Sequence, residues 1–402
     1  MTPDNPPATA PLDDRASDLL GRARKLGLLA EEHTQESMRE RRLVDVVEKE
    51  LLDGGLIDLW VPRSLGGAEC PPLDMYDVIE ETSYHDGAAG WVLLAIVLAT
   101  ATSGAYLGDS AVAELFGGGG SPVMAGQGSP VGRAEVVEGG YLLSGRWSYG
   151  SGIKHTTHAY SGATVFENGS PKLDATGRPA LLLTVVPREF VTFGDNWDVL
   201  GLSATGSIDY SISERFVPAE WTHPARIRHS DRGGSLYSLG VMGMGCLLHA
   251  AWAAGLGRRV LDELAVYARH RGDRSAGDDF VQRAARAEGS FRAASAYLRN
   301  TWVDVQRTFE RGEELSNRQQ TTMRLAVNHI THTVADVCEQ VYRISGGVGL
   351  RAGAIQRCFR DANASVQHII VSDVILRGIG RELLGLAPDH GWVHHELVPN
   401  HV

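Results

Sequence analysis

Apolar residues recur with a helical period over the first quarter of the chain, then with a strand-like period, then with a helical period again. Near the start, Leu19, Leu20, Ala23, Leu26, Leu29 and Ala30 mark one face of an amphipathic helix. Residues 43–52 repeat the pattern, and Gly54-Gly55 ends it. Residues 74–84 and 90–106 predict two more helices, the second so apolar that burial on all sides is expected. Beyond residue 121 the texture changes. Residues 141–149, 157–165, 180–186, 190–197 and 207–216 read as short strands separated by Gly, Asn and Asp clusters. Strands without intervening helices predict an antiparallel sheet or small barrel. From residue 235 long helices return, over 236–268, 278–311, 317–343 and 361–386, with the short breaks of a bundle.

The expected fold class is therefore α+β, mostly α. A disordered tail at 1–15 precedes a helical domain at 16–120. A middle antiparallel β domain at 121–230 and a C-terminal four-helix bundle at 231–402 follow. A length of 402 residues fits several subdomains better than one core. The net charge of -11 argues against a nucleic-acid partner. Cys70, Cys246, Cys338 and Cys358 are widely spaced with no C-x-x-C pair, so a reducing cytoplasm is expected. Residues 1–14 lack the basic head and apolar stretch of a signal peptide. The most apolar stretch, 91–100, is shorter than a bilayer span, so no membrane partner is expected.

Three segments carry candidate chemistry. In residues 139–152, GGYLLSGRWSYGSG, glycines and small hydroxyls flank an indole. Such a loop can bring backbone N–H groups and hydroxyls close to a planar polar ring. Ser148 and Ser151 are the hydrogen-bonding candidates, and Trp147 the stacking one; a plain hairpin with a buried Trp is the simpler reading. Residues 197–218 place the turn Ala204-Thr205-Gly206-Ser207 before a strand. Residues 346–368 hold Gly347, Gly349 and Ala352 in a G-x-G-x-x-A pattern. A helix precedes it and no βαβ unit follows, so it is not a Rossmann fingerprint. Asp361 and His368 are seven apart, which on one helix puts them on one face about 10 Å apart. His155/His158 and His329/His332 form H-x-x-H pairs, but no ligand pattern surrounds them and no metal is expected. Arg269, Arg271 and Arg274 form either a solvated helix end or a phosphate clamp.

VPRSLGGAE, SGRWSYGSG, LGLSATGSIDYSISERFVP and SGGVGL…RCFRDANASVQH, in that order, resemble the acyl-CoA dehydrogenase superfamily over nearly the whole chain. The closer similarity is to its two-component flavin-dependent monooxygenases, the hydroxylases of 4-hydroxyphenylacetate, steroid phenols and indole. W-S-Y-G-S-G replaces the dehydrogenases' W-I-T-N, the turn reads T-G-S, and Arg360-Asp361 precedes His368 by the branch's spacing.

The resemblance implies a reduced-flavin monooxygenase acting through a C4a-hydroperoxyflavin, with O2 as co-substrate and an aromatic or heteroaromatic small molecule as substrate. Trp147, Ser148, Ser151 and Gly152 would line the isoalloxazine, with Ser151 hydrogen-bonding near N5. His368 stands near where a dehydrogenase carries its Glu base; titrating near neutral pH, it would deprotonate the substrate or orient the oxygen donor. Arg271 would meet a phosphate or ribose, and Gly346 and Gly347 would approach the nucleotide end. Arg271-Gly272-Asp273-Arg274-Ser275 departs from the dehydrogenases' Arg-x-x-Phe-Gly, so FAD is expected with FMN possible. A separate NAD(P)H-dependent flavin reductase and a homotetramer are also implied. The alternatives are N-oxygenation of an amine or amino sugar, and an acyl-CoA dehydrogenase with a displaced base such as Glu382.

Overall fold

The protein is described by a computed structural model covering residues 14–272 and 277–400. Six helices come first: α1 (Asp14–Glu32), α2 (Thr34–Glu40), α3 (Asp45–Asp53), α4 (Pro72–His85), α5 (Gly87–Tyr106) and α6 (Asp109–Phe116). The Asp86 carboxylate starts α5 by accepting the Ala89 N–H at 2.9 Å. The apolar run extends at both ends beyond 91–100. α5 and the stretch Ser235–His270 are each long and apolar enough to cross a membrane, and both are mostly buried inside the protein.

The middle of the chain forms β1 (Met124–Val137), β2 (Gly140–Trp147), β3 (His158–Glu167), β4 (Ser170–Pro171), β5 (Leu181–Pro187), β6 (Thr192–Phe193), β7 (Tyr210–Pro218) and β8 (Thr222–Pro224). The sheet order is β6-β7-β2-β1-β3-β5-β8, with β4 on β3. The sheet is not wholly antiparallel as expected. β1 and β2 form a hairpin, and the chain then crosses to β1's free edge, where β3 runs parallel to it. β1 itself gives no clean alternation in sequence because glycines, Ser129 and Pro130 interrupt it, and its register shifts between Gln127 and Gly132.

The bundle comprises α7 (Gly240–Arg271), α8 (Asp278–Glu310), α9 (Asn317–Ile344), α10 (Ala354–Ser365) and α11 (Asp373–Leu383), closed by the hairpin β9 (His390–Val393) and β10 (Glu396–Pro399). A Ser316–Gln319 capping box fixes the start of α9. The helix expected over 361–386 is broken. α10 ends at Ser365, and His368, in extended conformation, caps a short 3-10 turn at Ile369–Val371. The β-branched run Ile369-Ile370-Val371 disfavours a continuous helix there. Asp361 and His368 thus do not share a helix face.

One apolar core joins α1 and α3–α5 to α7–α10, with Trp60, Trp252 and Trp302 fully enclosed. A second lies against the sheet around Trp147, Tyr210 and Ile212. Each such large side chain stabilises the fold by roughly 1.5–3 kcal/mol or more.

Candidate active site

Two turns of the β domain meet the helices at one place. After β2 the chain reverses through Tyr149 (φ 66°) and Gly152 (φ 73°). Gly152 packs so closely on α5 that a Cβ there would touch Val92 at 3.4 Å. This carries Ser151 to Trp91, whose Nε1 donates to Ser151 Oγ at 3.0 Å. Ser207 Oγ donates to the same oxygen at 2.8 Å, and Thr205 Oγ1 lies 2.7 Å from Ser207 Oγ. A serine hydroxyl has two acceptor sites and one proton. Thr205 gives its own proton to the Leu202 carbonyl, so the three hydroxyls have no proton beyond those these contacts use.

The second turn is held from the bundle. Leu202 sits in the left-handed region (φ 56°), and its N–H donates to Asp361 Oδ1 at 2.6 Å. Its carbonyl accepts from Trp197 Nε1 at 3.4 Å and Thr205 Oγ1 at 2.7 Å. Gly201 has no room for a side chain, since a Cβ would lie 2.1 Å from the Arg360 carbonyl oxygen. Burial pushes the Asp361 carboxyl up to about 6, against the Leu202 N–H and Arg357, which favour the charged form.

His368 faces this hydroxyl chain from the bundle side. Its ring lies 5.8 Å from Trp91 and 5.2 Å from His249. Trp91 also meets His249 at 5.2 Å and Trp252 at 4.9 Å, edge to face. His368 is surrounded by protein yet keeps solvent-accessible surface. Burial pushes its imidazole down to about 4, so it is neutral at pH 7, not poised near neutrality as expected. Its Nδ1 accepts the Ile370 N–H at 3.3 Å. The neutral ring therefore carries its proton on Nε2 and is a hydrogen-bond donor there. His249 is likewise held neutral by burial and by the nearby His368 and His332, and its buried Nε2 has no partner.

Residues 247–373 match the family described as "Acyl-CoA dehydrogenase, C-terminal domain". The chain is 27% identical over 358 residues to indole-3-acetate monooxygenase of Pseudomonas putida, spanning 84% of this chain and 86% of that protein. It is 27% identical over 363 residues to the FADH2-dependent resorcinol hydroxylase, oxygenase component, of a Rhizobium species, spanning 83% and 86%. The crystal structure of the HsaA monooxygenase from Mycobacterium tuberculosis superposes with a TM-score of 0.84 at 24% identity, covering 92% of this chain and 97% of that one. Residues 247–373 thus resemble the acyl-CoA dehydrogenase C-terminal domain, and the whole chain shares its fold with the HsaA monooxygenase. His368 lies against Trp91 and His249. Glu382 of α11 pairs with Arg318 at 3.1 Å and makes no contact with His368 or Ser151 among those described.

The residues fit a flat heteroaromatic cofactor. The cluster combines a serine hydroxyl, two neutral imidazoles and an indole edge. Trp147 is not part of that cluster. It has no exposed surface, stacks on Tyr210 at 5.3 Å and donates to the Gly162 carbonyl at 2.8 Å. Its surroundings are those of the plain hairpin with a buried Trp. Ser148 is exposed and hydrogen-bonds Asp209. Gly346 and Gly347 lie in an exposed turn after α9, where an added Cβ would meet nothing within 4 Å. Arg271 is the last residue of α7, and its side chain lies outside the described residues, as does Arg274. Among the described residues no group of three or more His, Cys, Asp or Glu is placed to hold a metal.

Sequence reasoning missed Trp91 and His249. Both sit in helices whose pattern announces only burial. The available signal was one polar ring in an apolar run, His249 within GCLLHAAWAAG.

Proposed function

We propose that this protein is the oxygenase component of a two-component monooxygenase that hydroxylates an aromatic or heteroaromatic small molecule with reduced flavin and O2. The observation that carries this reading is the cluster of Ser151, Trp91, His249 and His368 where the β domain meets the bundle. Reduced flavin, when bound there, supplies the electrons and activates O2. The Nε2–H of His368 is the protein's donor toward that group and its oxygen. His249, held neutral and with an unpartnered Nε2, is placed to accept a hydrogen bond from a phenol or ring N–H. The enclosing indoles keep water out, which protects a reactive oxygen donor.

FAD is the proposed flavin, with FMN the alternative, and a separate NAD(P)H-dependent reductase supplies it reduced. A cytoplasmic homotetramer is part of the same proposal. Its support is four free, buried cysteines and the exposed Val348 and Leu350 beside Gly346 and Gly347. Light scattering tests the assembly. The decisive assay combines the purified chain with a flavin reductase, NADH, O2 and a panel of phenols and indoles. Product mass should rise by one oxygen. NADH oxidation yielding only hydrogen peroxide with every compound would end the proposal.

A further inference from the structure

A small cavity of about 20 Å³ lies between the start of α7, the start of α9, the segment after β8 and the β9–β10 hairpin. On α7, Gly245 separates the lining residue Met242 from His249, and Ile370 packs against that glycine. Apolar atoms thus divide the cavity from the histidine cluster described above.

The cavity's polar side chains are Arg226, Arg228, Gln320, Arg324, His394 and the Trp392 indole, and no Asp or Glu is among its described lining residues. Arg324 is only 4% exposed. Its Nη1 donates to the Gln320 carbonyl at 3.1 Å and its Nη2 to the His394 carbonyl at 2.8 Å. The guanidinium stacks on Trp392 at 4.4 Å, which holds it in place. Its Nε is buried and has no hydrogen-bond partner.

Nothing on the chain neutralises this cation. Burial pulls the guanidinium down to about 10, which leaves it charged at pH 7. The groups acting on it besides burial are Cys246 and the Arg228 cation. Burial pushes the Cys246 thiol up to about 11, so it is uncharged at pH 7. The neighbouring carboxylates are committed elsewhere. Asp174 pairs with Arg226 at 2.8 Å, Glu396 pairs with Arg178 at 3.1 Å, and Glu314 acts on Arg228. Burial, His395 and the cations Arg226 and Arg324 push the His394 imidazole down to about 4, so it adds no charge of its own but registers theirs. The Gly240 N–H is bonded to the Tyr237 carbonyl, so the positive potential comes from side chains and not from the end of α7.

A buried ion without a counter-charge carries its desolvation penalty uncompensated. A water molecule would satisfy the Nε proton and leave the charge; an anion does both. Roughly 10–15 Å³ is needed to hold one water-sized particle. The cavity therefore has room for one monatomic ion and not for the four oxygens of phosphate or sulfate. Arg228 is exposed at the rim, which leaves a route to solvent.

We infer that this cavity is a binding site for a single chloride-sized monovalent anion, held by Arg324 beneath the β9–β10 hairpin. Bound there, the ion bridges α9, the segment after β8 and the hairpin, and pins the hairpin to the bundle. No step of the hydroxylase chemistry enters it.

The test follows thermal unfolding of the full chain at constant ionic strength while sodium chloride replaces sodium gluconate, whose anion is too large for the cavity. The midpoint should rise by roughly 1–3 °C and then saturate. Arg324→Gln should abolish that dependence, and Arg324→Lys, which keeps the charge, should retain part of it. A midpoint that does not move, or that climbs without saturating in the wild type and Arg324→Gln alike, overturns the site. Wild-type crystals soaked in sodium bromide should show an anomalous peak beside Arg324 Nε, a reading that stands even if Arg324→Gln does not fold. No peak there means that water alone fills the cavity, and the inference falls. A peak without a saturable effect of chloride in solution marks an adventitious ion only and overturns it as well.

Discussion

The Asp361 carboxylate accepts the backbone N–H of Leu202 at 2.6 Å, joining the bundle to the β-domain turn across 159 positions of sequence. From Leu202 the contacts run through Thr205 and Ser207 to Ser151. Asp361 touches none of the reacting groups, so it acts by positioning the turn that orients the Ser151 hydroxyl.

Asp361→Ala leaves a buried N–H unpaired and should destabilise the protein by about 1–3 kcal/mol. Asp361→Asn retains an acceptor and should be far milder. The pH dependence separates charge from contact. The folded carboxyl is raised to about 6, so folding favours the protonated acid. The stability it contributes is present at low pH and is lost as pH rises from about 4, its unfolded value, to about 6. Asp361→Asn should remove that slope. Denaturant titrations at pH 5 and pH 8 check this; an unchanged slope would contradict it.

Ser151→Ala removes the hydroxyl that Trp91 Nε1 and Ser207 Oγ hydrogen-bond. The expected result is a folded protein whose product yield per NADH falls on the order of tenfold or more, with peroxide rising to match. Coupling equal to the wild type would exclude Ser151 from the reaction.

His368→Ala should keep flavin affinity within a few-fold and lose hydroxylation on the order of a hundredfold. Because burial pushes this imidazole down to about 4, it stays neutral across the physiological range. Its contribution to stability is present above about pH 6.5 and is lost as pH falls toward about 4. The rate profile should show no step from His368 between pH 6 and 8. A step in that window that vanishes in His368→Ala would mean the ring titrates near neutrality after all.

Gly201→Ala places a Cβ 2.1 Å from the Arg360 carbonyl oxygen, and neither backbone can yield without parting the turn from α10. A loss of about 1–3 kcal/mol is expected, together with the loss of coupling seen in Ser151→Ala. Thermal unfolding and the peroxide assay report the two effects separately. Wild-type stability would show that the turn is not clamped there.

Helices were the most legible elements. Residues 278–311 were read as one helix and α8 spans Asp278–Glu310, because a 3.6-residue period over nine turns leaves little ambiguity. The same rule failed at 361–386, where capping by His368 and a β-branched run interrupt the repeat. Ser151 and His368 were named from motif resemblance, and the structure brings both to Trp91. That Trp147 packs on Tyr210 within the sheet core was not legible, because strand alternation says that a side chain is covered, not what covers it.

The order of domains, the bundle helices, the hydroxyl-rich loop and the singular histidine are written in local composition and periodicity, which act over a few residues. The parallel β1–β3 pairing, the clamp of Asp361 on Leu202, the neutral state of His368 and the enlistment of His249 are not. Each depends on burial and close approach between segments tens to hundreds of residues apart, and only the packed chain decides which groups lose water and which gain a partner.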